Sequence, residues 1–182
     1  LFSDILMVPW ALGQALRFAE GEGPVLEPLR DARAVAALRP EMLRERAAPI
    51  FGTVSRTRAI LAADHPRTAL IGFAGSPWTV AAYMVEGHGS RDFHTARGMA
   101  FADPALFGAL IATLEAATTD YLLAQIESGA DAVMLFDSWA GMLPPNQFRR
   151  WVIEPTVNIV RAVKAAHPEI PVVGFPRLAG PL

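Results

Sequence analysis

Leu70-Ile71-Gly72-Phe73-Ala74-Gly75-Ser76-Pro77-Trp78-Thr79-Val80-Ala81-Ala82-Tyr83-Met84-Val85-Glu86-Gly87 is the stretch whose reading decides the fold. An apolar, strand-like run closes on two glycines. Ser76 at a helix N-cap and Pro77 at the first helical position then open a helix, which carries Tyr83 on its second turn. Strand, tight glycine turn and helix make the unit of a parallel α/β fold. Such folds place ligands at the C-terminal ends of their strands, so the polar groups after Gly75 mark a candidate binding site.

The same unit recurs along the chain. Leu1 to Ile5 reads as a strand, followed by an irregular turn from Pro9 to Gly13, and Val25-Leu26 as a short extended piece after the Gly21-Glu22-Gly23-Pro24 loop. Met42, Ala47, Ile50, Val54 and Ile60 recur at helical spacing and predict a helix from about Pro40 to Ala63, ended by His65-Pro66. Ala69 to Phe73 is the next strand, and a helix is expected from Asp92 to Ala102. Asp103-Pro104 caps a long helix reaching Ser128, with Gly129 at its C-terminal end. Ala132 to Phe136 is a third strand, apolar throughout as a buried parallel strand is. Helical segments from Asn146 to Ala166, interrupted near Glu154-Pro155, lead to a fourth strand at Val172 to Phe175. Four strands alternating with helices fit a half-barrel or a small open sheet.

Composition narrows the function. The 182 residues are 52% hydrophobic and 19% charged, with a net charge of −2, so no broad basic surface is offered to nucleic acid or acidic lipid. The chain has no cysteine, which excludes disulfides, thiolate catalysis and thiolate zinc sites within it. No apolar run reaches the 18 or so residues of a membrane-spanning helix. His65, His88, His94 and His167 are scattered without metal-ligand spacing and read as surface residues. Leu1-Phe2-Ser3-Asp4 reads as the end of a strand already under way, and Val172-Val173-Gly174-Phe175 as a strand whose helix is missing. Both ends are therefore expected to be cut.

The Leu70–Gly87 stretch closely resembles the signature of the uroporphyrinogen decarboxylase family. Leu1-Phe2-Ser3-Asp4-Ile5-Leu6-Met7-Val8-Pro9 with Ala11-Leu12-Gly13 agrees with it, as does Gly129-Ala130-Asp131-Ala132-Val133-Met134-Leu135-Phe136-Asp137-Ser138-Trp139-Ala140-Gly141. Pro171 to Arg177 is a weaker match. The resemblance covers essentially the whole chain in family order. It implies an α/β fold that is the middle portion of a (β/α)8 TIM barrel, about four βα units, with residues 1–182 a single incomplete domain truncated at both ends. It also implies a carboxy-lyase that turns the four acetates of uroporphyrinogen III into the methyls of coproporphyrinogen III, with no cofactor. A cytoplasmic homodimer at full length, with a tetrapyrrole substrate and no nucleic-acid or membrane partner, completes the expectation. A related barrel, the cobalamin-linked methyltransferases, is the alternative, as is an inactive fragment.

Asp4 matches the family aspartate that accepts hydrogen bonds from the pyrrole N–H groups at the macrocycle centre; on its own residues it also reads as a turn or cap aspartate. Tyr83 matches the tyrosine beside the reacting acetate, and otherwise reads as a core tyrosine. Ser138 matches the serine that contacts a substrate carboxylate, and otherwise reads as a turn serine. Phe73 and Phe136, at the ends of adjacent strands, would line the wall of the cleft. Asp137 is a candidate to support Ser138, and Arg177 to face substrate carboxylates. Trp10 departs from the family pattern, and the family's N-terminal arginine motif and C-terminal histidine segment have no counterpart within these residues.

Overall fold

The computed structural model describes residues 4–19 and 23–180. Two short strands, β1 (Leu16–Ala19) and β2 (Gly23–Leu26), pair antiparallel with Leu16 opposite Leu26. A separate parallel sheet follows chain order through β3 (Ile71–Gly75), β4 (Ala132–Asp137) and β5 (Val172–Pro176). Its register sets Gly75 opposite Phe136 and Phe136 opposite Phe175. The fourth parallel strand expected at Leu1 to Ile5 lies largely outside the described residues. Asp4 to Leu6 itself forms a turn into helix α1 (Met7–Ala11), where an irregular turn was expected. Pro9 is tolerated in α1 because the first helical turn has no intrahelical partner for its N–H groups anyway.

The segment expected as one helix from Pro40 to Ala63 is three. A single 3-10 turn (Pro40–Met42) runs into α3 (Leu43–Arg46) and then α4 (Ala48–Asp64). Pro49 at the second position of α4 explains the break at Ala47, since a proline fits a helix start and not its interior. Ahead of them, α2 (Ala32–Ala36) is capped by the Asp31 carboxylate, which accepts from the Ala34 N–H at 2.8 Å. The remaining helices agree with the sequence reading within two residues: α5 (Pro77–Glu86), α6 (His94–Ala102) and α7 (Pro104–Glu127). Asp103 caps α7 by accepting from the Leu106 N–H at 2.9 Å. Next come α8 (Pro145–Phe148), a π turn at Arg149–Ile153, and α9 (Glu154–Ala166). Pro155 has no N–H to donate and would crowd the carbonyl four residues back, so the wide turn sits just upstream of it.

The core lies between one face of the sheet and helices α5, α7 and α9. Val133 and Leu135 of β4 face it, with Trp78, Phe107, Leu110, Leu114, Leu122, Ile159 and Val163 from the helices. Each such large side chain taken out of water contributes about 1.5–3 kcal/mol. By length and composition alone α7 would cross a membrane, yet it is the central helix of this layer, packed on α5, α9 and β3.

The other sheet face carries Ile71, Phe73, Met134, Phe136, Val173 and Phe175 by the two-residue strand period. It is bare: Ile71 is 55% exposed, Val173 43% and Phe175 45%. The outer edge of β3 is partly closed. The Gln125 side chain of α7 donates from Nε2 to the Phe73 carbonyl at 2.9 Å and accepts at Oε1 from the Phe73 N–H at 3.0 Å.

Candidate functional site

The first βα turn of the parallel sheet is built for close approach. A methyl group on Gly75 would lie 2.5 Å from Val80 Cγ2 and 2.9 Å from Ile5 Cβ. Only glycine lets the Asp4-Ile5 turn settle onto the end of β3, beside the register pair Gly75–Phe136. Ser76 does not cap α5 with its hydroxyl, as the sequence suggested; it occupies the N-cap with its backbone, and its N–H continues the sheet ladder to the Phe136 carbonyl at 2.8 Å.

Asp4 and Tyr83 meet here. Together with Ile5, Leu6, Pro24 and Gly89 they line a cleft of about 240 Å³. Asp4 is half-buried, and Oδ1 accepts from the Leu6 N–H at 2.8 Å, so the aspartate also makes the turn that its plain reading predicts. The cleft roof comes from the β1–β2 pair, which is docked on the end of α5 by the Leu26 N–H donating to the Gly87 carbonyl at 2.6 Å. Gly87 ends α5 at φ +90°, and a side chain there would strike the Leu26 carbonyl.

Phe73 and Phe136 stand edge to face on the bare sheet surface, ring centres 5.7 Å apart, and Phe175 continues the row 6.0 Å from Phe136. Sequence reasoning omitted Phe175 although it ends a strand in the same register. Ser138 is half-buried two residues beyond Phe136. Tyr83 reaches the Ser138 side of the rim through aromatic packing. Its ring lies 5.3 Å from Phe93, which lies 4.9 Å from Trp139. Phe93 is fully buried with φ +46°, a left-handed backbone that bulky residues rarely adopt and that clusters at functional sites. No sequence signal marks it. Asp4 and Tyr83 thus share one cleft, and Phe73 and Phe136 share one wall. Ser138 joins them through Trp139 and Phe93, with no direct contact to Asp4 or Tyr83 among the described bonds.

Asp137 points the opposite way, into the core, and is 2% exposed. Oδ1 accepts from the Thr79 hydroxyl at 2.6 Å, while Oδ2 has no partner among the described residues. Burial pushes its carboxyl up to about 7, against hydrogen bonds from Thr79 that pull it down. Arg177 is exposed on the turn after β5 and is tied by its backbone N–H to the Asp137 carbonyl at 3.0 Å. Among the described residues, no three His, Cys, Asp or Glu side chains gather as a metal site.

The family model for uroporphyrinogen decarboxylase (URO-D) matches residues 1–182. The chain belongs to the uroporphyrinogen decarboxylase family. It is 57% identical to a uroporphyrinogen decarboxylase of Gluconacetobacter diazotrophicus over 99% of this chain and 53% of that protein. It is 58% identical to one of Acidiphilium cryptum over 99% of this chain and 49% of that protein. The chain spans about half the length of the curated relatives it matches. Among solved structures, a methyltransferase from Methanosarcina mazei superposes with a TM-score of 0.66 over 98% of this chain and 51% of its own, at 15% identity. That likeness is one of fold. This chain and the methyltransferase therefore share a parallel α/β scaffold.

Proposed function

We propose that these residues are the middle of a uroporphyrinogen decarboxylase barrel, about four βα units of a (β/α)8 fold, in which Asp4, Tyr83, Ser138, Phe73 and Phe136 face the substrate. The observation that carries the reading is the cleft shared by Asp4 and Tyr83 at the C-terminal end of β3, in a chain more than half identical to enzymes of that name. In this reading the intact protein is a cytoplasmic homodimer that removes the four acetate carboxyls of uroporphyrinogen III without a cofactor.

The chemistry follows from what a carboxylate can do in a sheltered cleft. A proton added to a pyrrole ring carbon makes the ring an iminium-like cation. The acetate C–C bond then breaks, CO2 leaves, and its electron pair neutralises the cation. The resulting exocyclic methylene takes a proton to become methyl as the ring carbon gives its own up. The net change is one proton in and one CO2 out. Asp4, as a fixed anion near the pyrrole nitrogens, lowers the energy of the cationic step, and more so where water is excluded. Tyr83 donates its phenol to the reacting carboxylate, and Ser138 holds another. The Phe73–Phe136–Phe175 row offers an apolar wall for a macrocycle too large for the Asp4 cleft alone.

The test uses a protein of the relatives' full length carrying these residues. With uroporphyrinogen III under anaerobic conditions, chromatography of the oxidised products reads coproporphyrin. Asp4→Asn is expected to lower kcat/KM by about 10² to 10³ with the fold intact, and Tyr83→Phe to cost less. Near-normal turnover by Asp4→Asn removes it from the mechanism, and no turnover by the unaltered protein overturns the reading.

A further inference from the structure

Both backbone groups of Trp139, the residue after Ser138, are held by two neighbouring side chains on the first turn of α5. The Trp139 N–H donates to the Thr79 hydroxyl at 3.1 Å, and the Trp78 indole N–H donates to the Trp139 carbonyl at 3.0 Å. Thr79 has a single hydroxyl proton, and it is committed: it is given to Asp137 Oδ1 at 2.6 Å. The hydroxyl is therefore oriented with its lone pair toward Trp139. Thr79 and Trp78 are fully buried and Asp137 nearly so, and none of the three lines the Asp4–Tyr83 cleft.

We propose that Thr79 is a positioning residue for decarboxylation: oriented by Asp137 and seconded by Trp78, it clamps the Ser138 turn to the helix that carries Tyr83. The inference rests on the role given to Ser138 above. Its physical basis is that a turn carrying a substrate-binding hydroxyl has to be held within a fraction of an ångström, and here two partly buried hydrogen bonds, on the N–H and the carbonyl of Trp139, hold it. The clamp also joins β4 to α5 directly, so the serine and the tyrosine move together. Nothing in the clamp touches substrate. Its effect is felt through Ser138, and that separates it from a merely structural contact.

The experiment is a double-mutant cycle in the full-length protein, reading kcat and KM for uroporphyrinogen III. Thr79→Val keeps the shape and removes both bonds of the Thr79 hydroxyl, to Asp137 and from the Trp139 N–H, leaving the Trp78 bond to the Trp139 carbonyl in place. It is expected to lower kcat/KM by about 10- to 100-fold, mostly through a higher KM, because Ser138 binds a carboxylate that does not react. In a Ser138→Ala background the same change is expected to cost less than about twofold, since the serine it positions is gone. Thr79→Ser, which keeps both bonds, restores kcat/KM to within about threefold. Should Thr79→Val not fold, Asp137→Asn and Asp137→Leu take its place: the first keeps an acceptor for the Thr79 hydroxyl and holds KM, the second removes it and raises KM. Equal effects of Thr79→Val with and without Ser138, or none at all, overturn the clamp while leaving the decarboxylase reading standing. An unaltered protein with no turnover overturns both.

Discussion

A carboxyl buried with one oxygen unpartnered among the described residues sets its own pH dependence. Asp137 has an ordinary value of 3.8, and burial raises it to about 7 in the folded chain. The folded state thus binds this proton more tightly than the unfolded state. Its contribution is fully present below about pH 4 and is lost as pH rises through about 7, at up to about 1.4 kcal/mol per pH unit between the two. Asp137→Asn keeps the oxygen that Thr79 donates to and abolishes the titration. Urea unfolding of the full-length protein is expected to show the difference in stability between wild type and Asp137→Asn shifting by roughly 2–3 kcal/mol between pH 5 and pH 7, in favour of the variant at the higher pH. A constant difference contradicts the burial described. In the sequence, Asp137 stood out only as a neighbour of Ser138. That it turns away from the cleft follows from strand alternation, since Phe136 faces the bare side and Asp137 must face the core.

Among the elements, the turn from β3 into α5 joins fold and site. Adding a methyl at Gly75 puts it 2.5 Å from Val80 Cγ2 and 2.9 Å from Ile5 Cβ, so both neighbours have to shift. Ile5 lies in the half-buried turn that holds Asp4, so its shift carries Asp4 with it. Gly75→Ala is expected to reduce kcat/KM by about tenfold or more while lowering stability by only about 1–3 kcal/mol; a variant with unchanged activity shows that the Asp4 turn does not depend on that contact. This turn, the β4 run and the α7 caps were legible because each has a strong local cause: a glycine pair, an unbroken apolar strand, an aspartate before proline. The β1–β2 pair was half missed because its strands are four residues each and Phe18, the bulkiest side chain among them, faces water. α1 was missed because Pro9 looks like a breaker unless the helix is known to be one turn long. The same proline logic, applied at Pro49, corrects the helix drawn unbroken through Ala47. Periodicity alone misled at Ile60, which keeps the helical spacing yet is exposed on α4.

For the whole molecule the decisive fact is one covered sheet face and one bare one. Ile71, Phe73, Phe136, Val173 and Phe175 form an apolar surface of a kind that stable monomers seldom leave in water. The 182-residue chain by itself is expected to self-associate and to show no decarboxylase activity; sedimentation velocity that finds a monomer across the micromolar range, melting cooperatively, contradicts this. Residue types told which strand faces are apolar. They did not tell what becomes of the strand edges, because that depends on which distant side chain arrives there, and Gln125 was not singled out from the apolar stripe of α7. Its amide matches the peptide group it meets, donor to acceptor and acceptor to donor, at a single residue of β3. Such an occupant discriminates by length. A stray extended segment that offers one or two bonds gains little by displacing it, whereas a strand that pairs along all of β3 makes more bonds than the two it replaces. The side chain thus keeps the edge closed to casual pairing and open to a neighbour of the right span, a form of selectivity written into one glutamine.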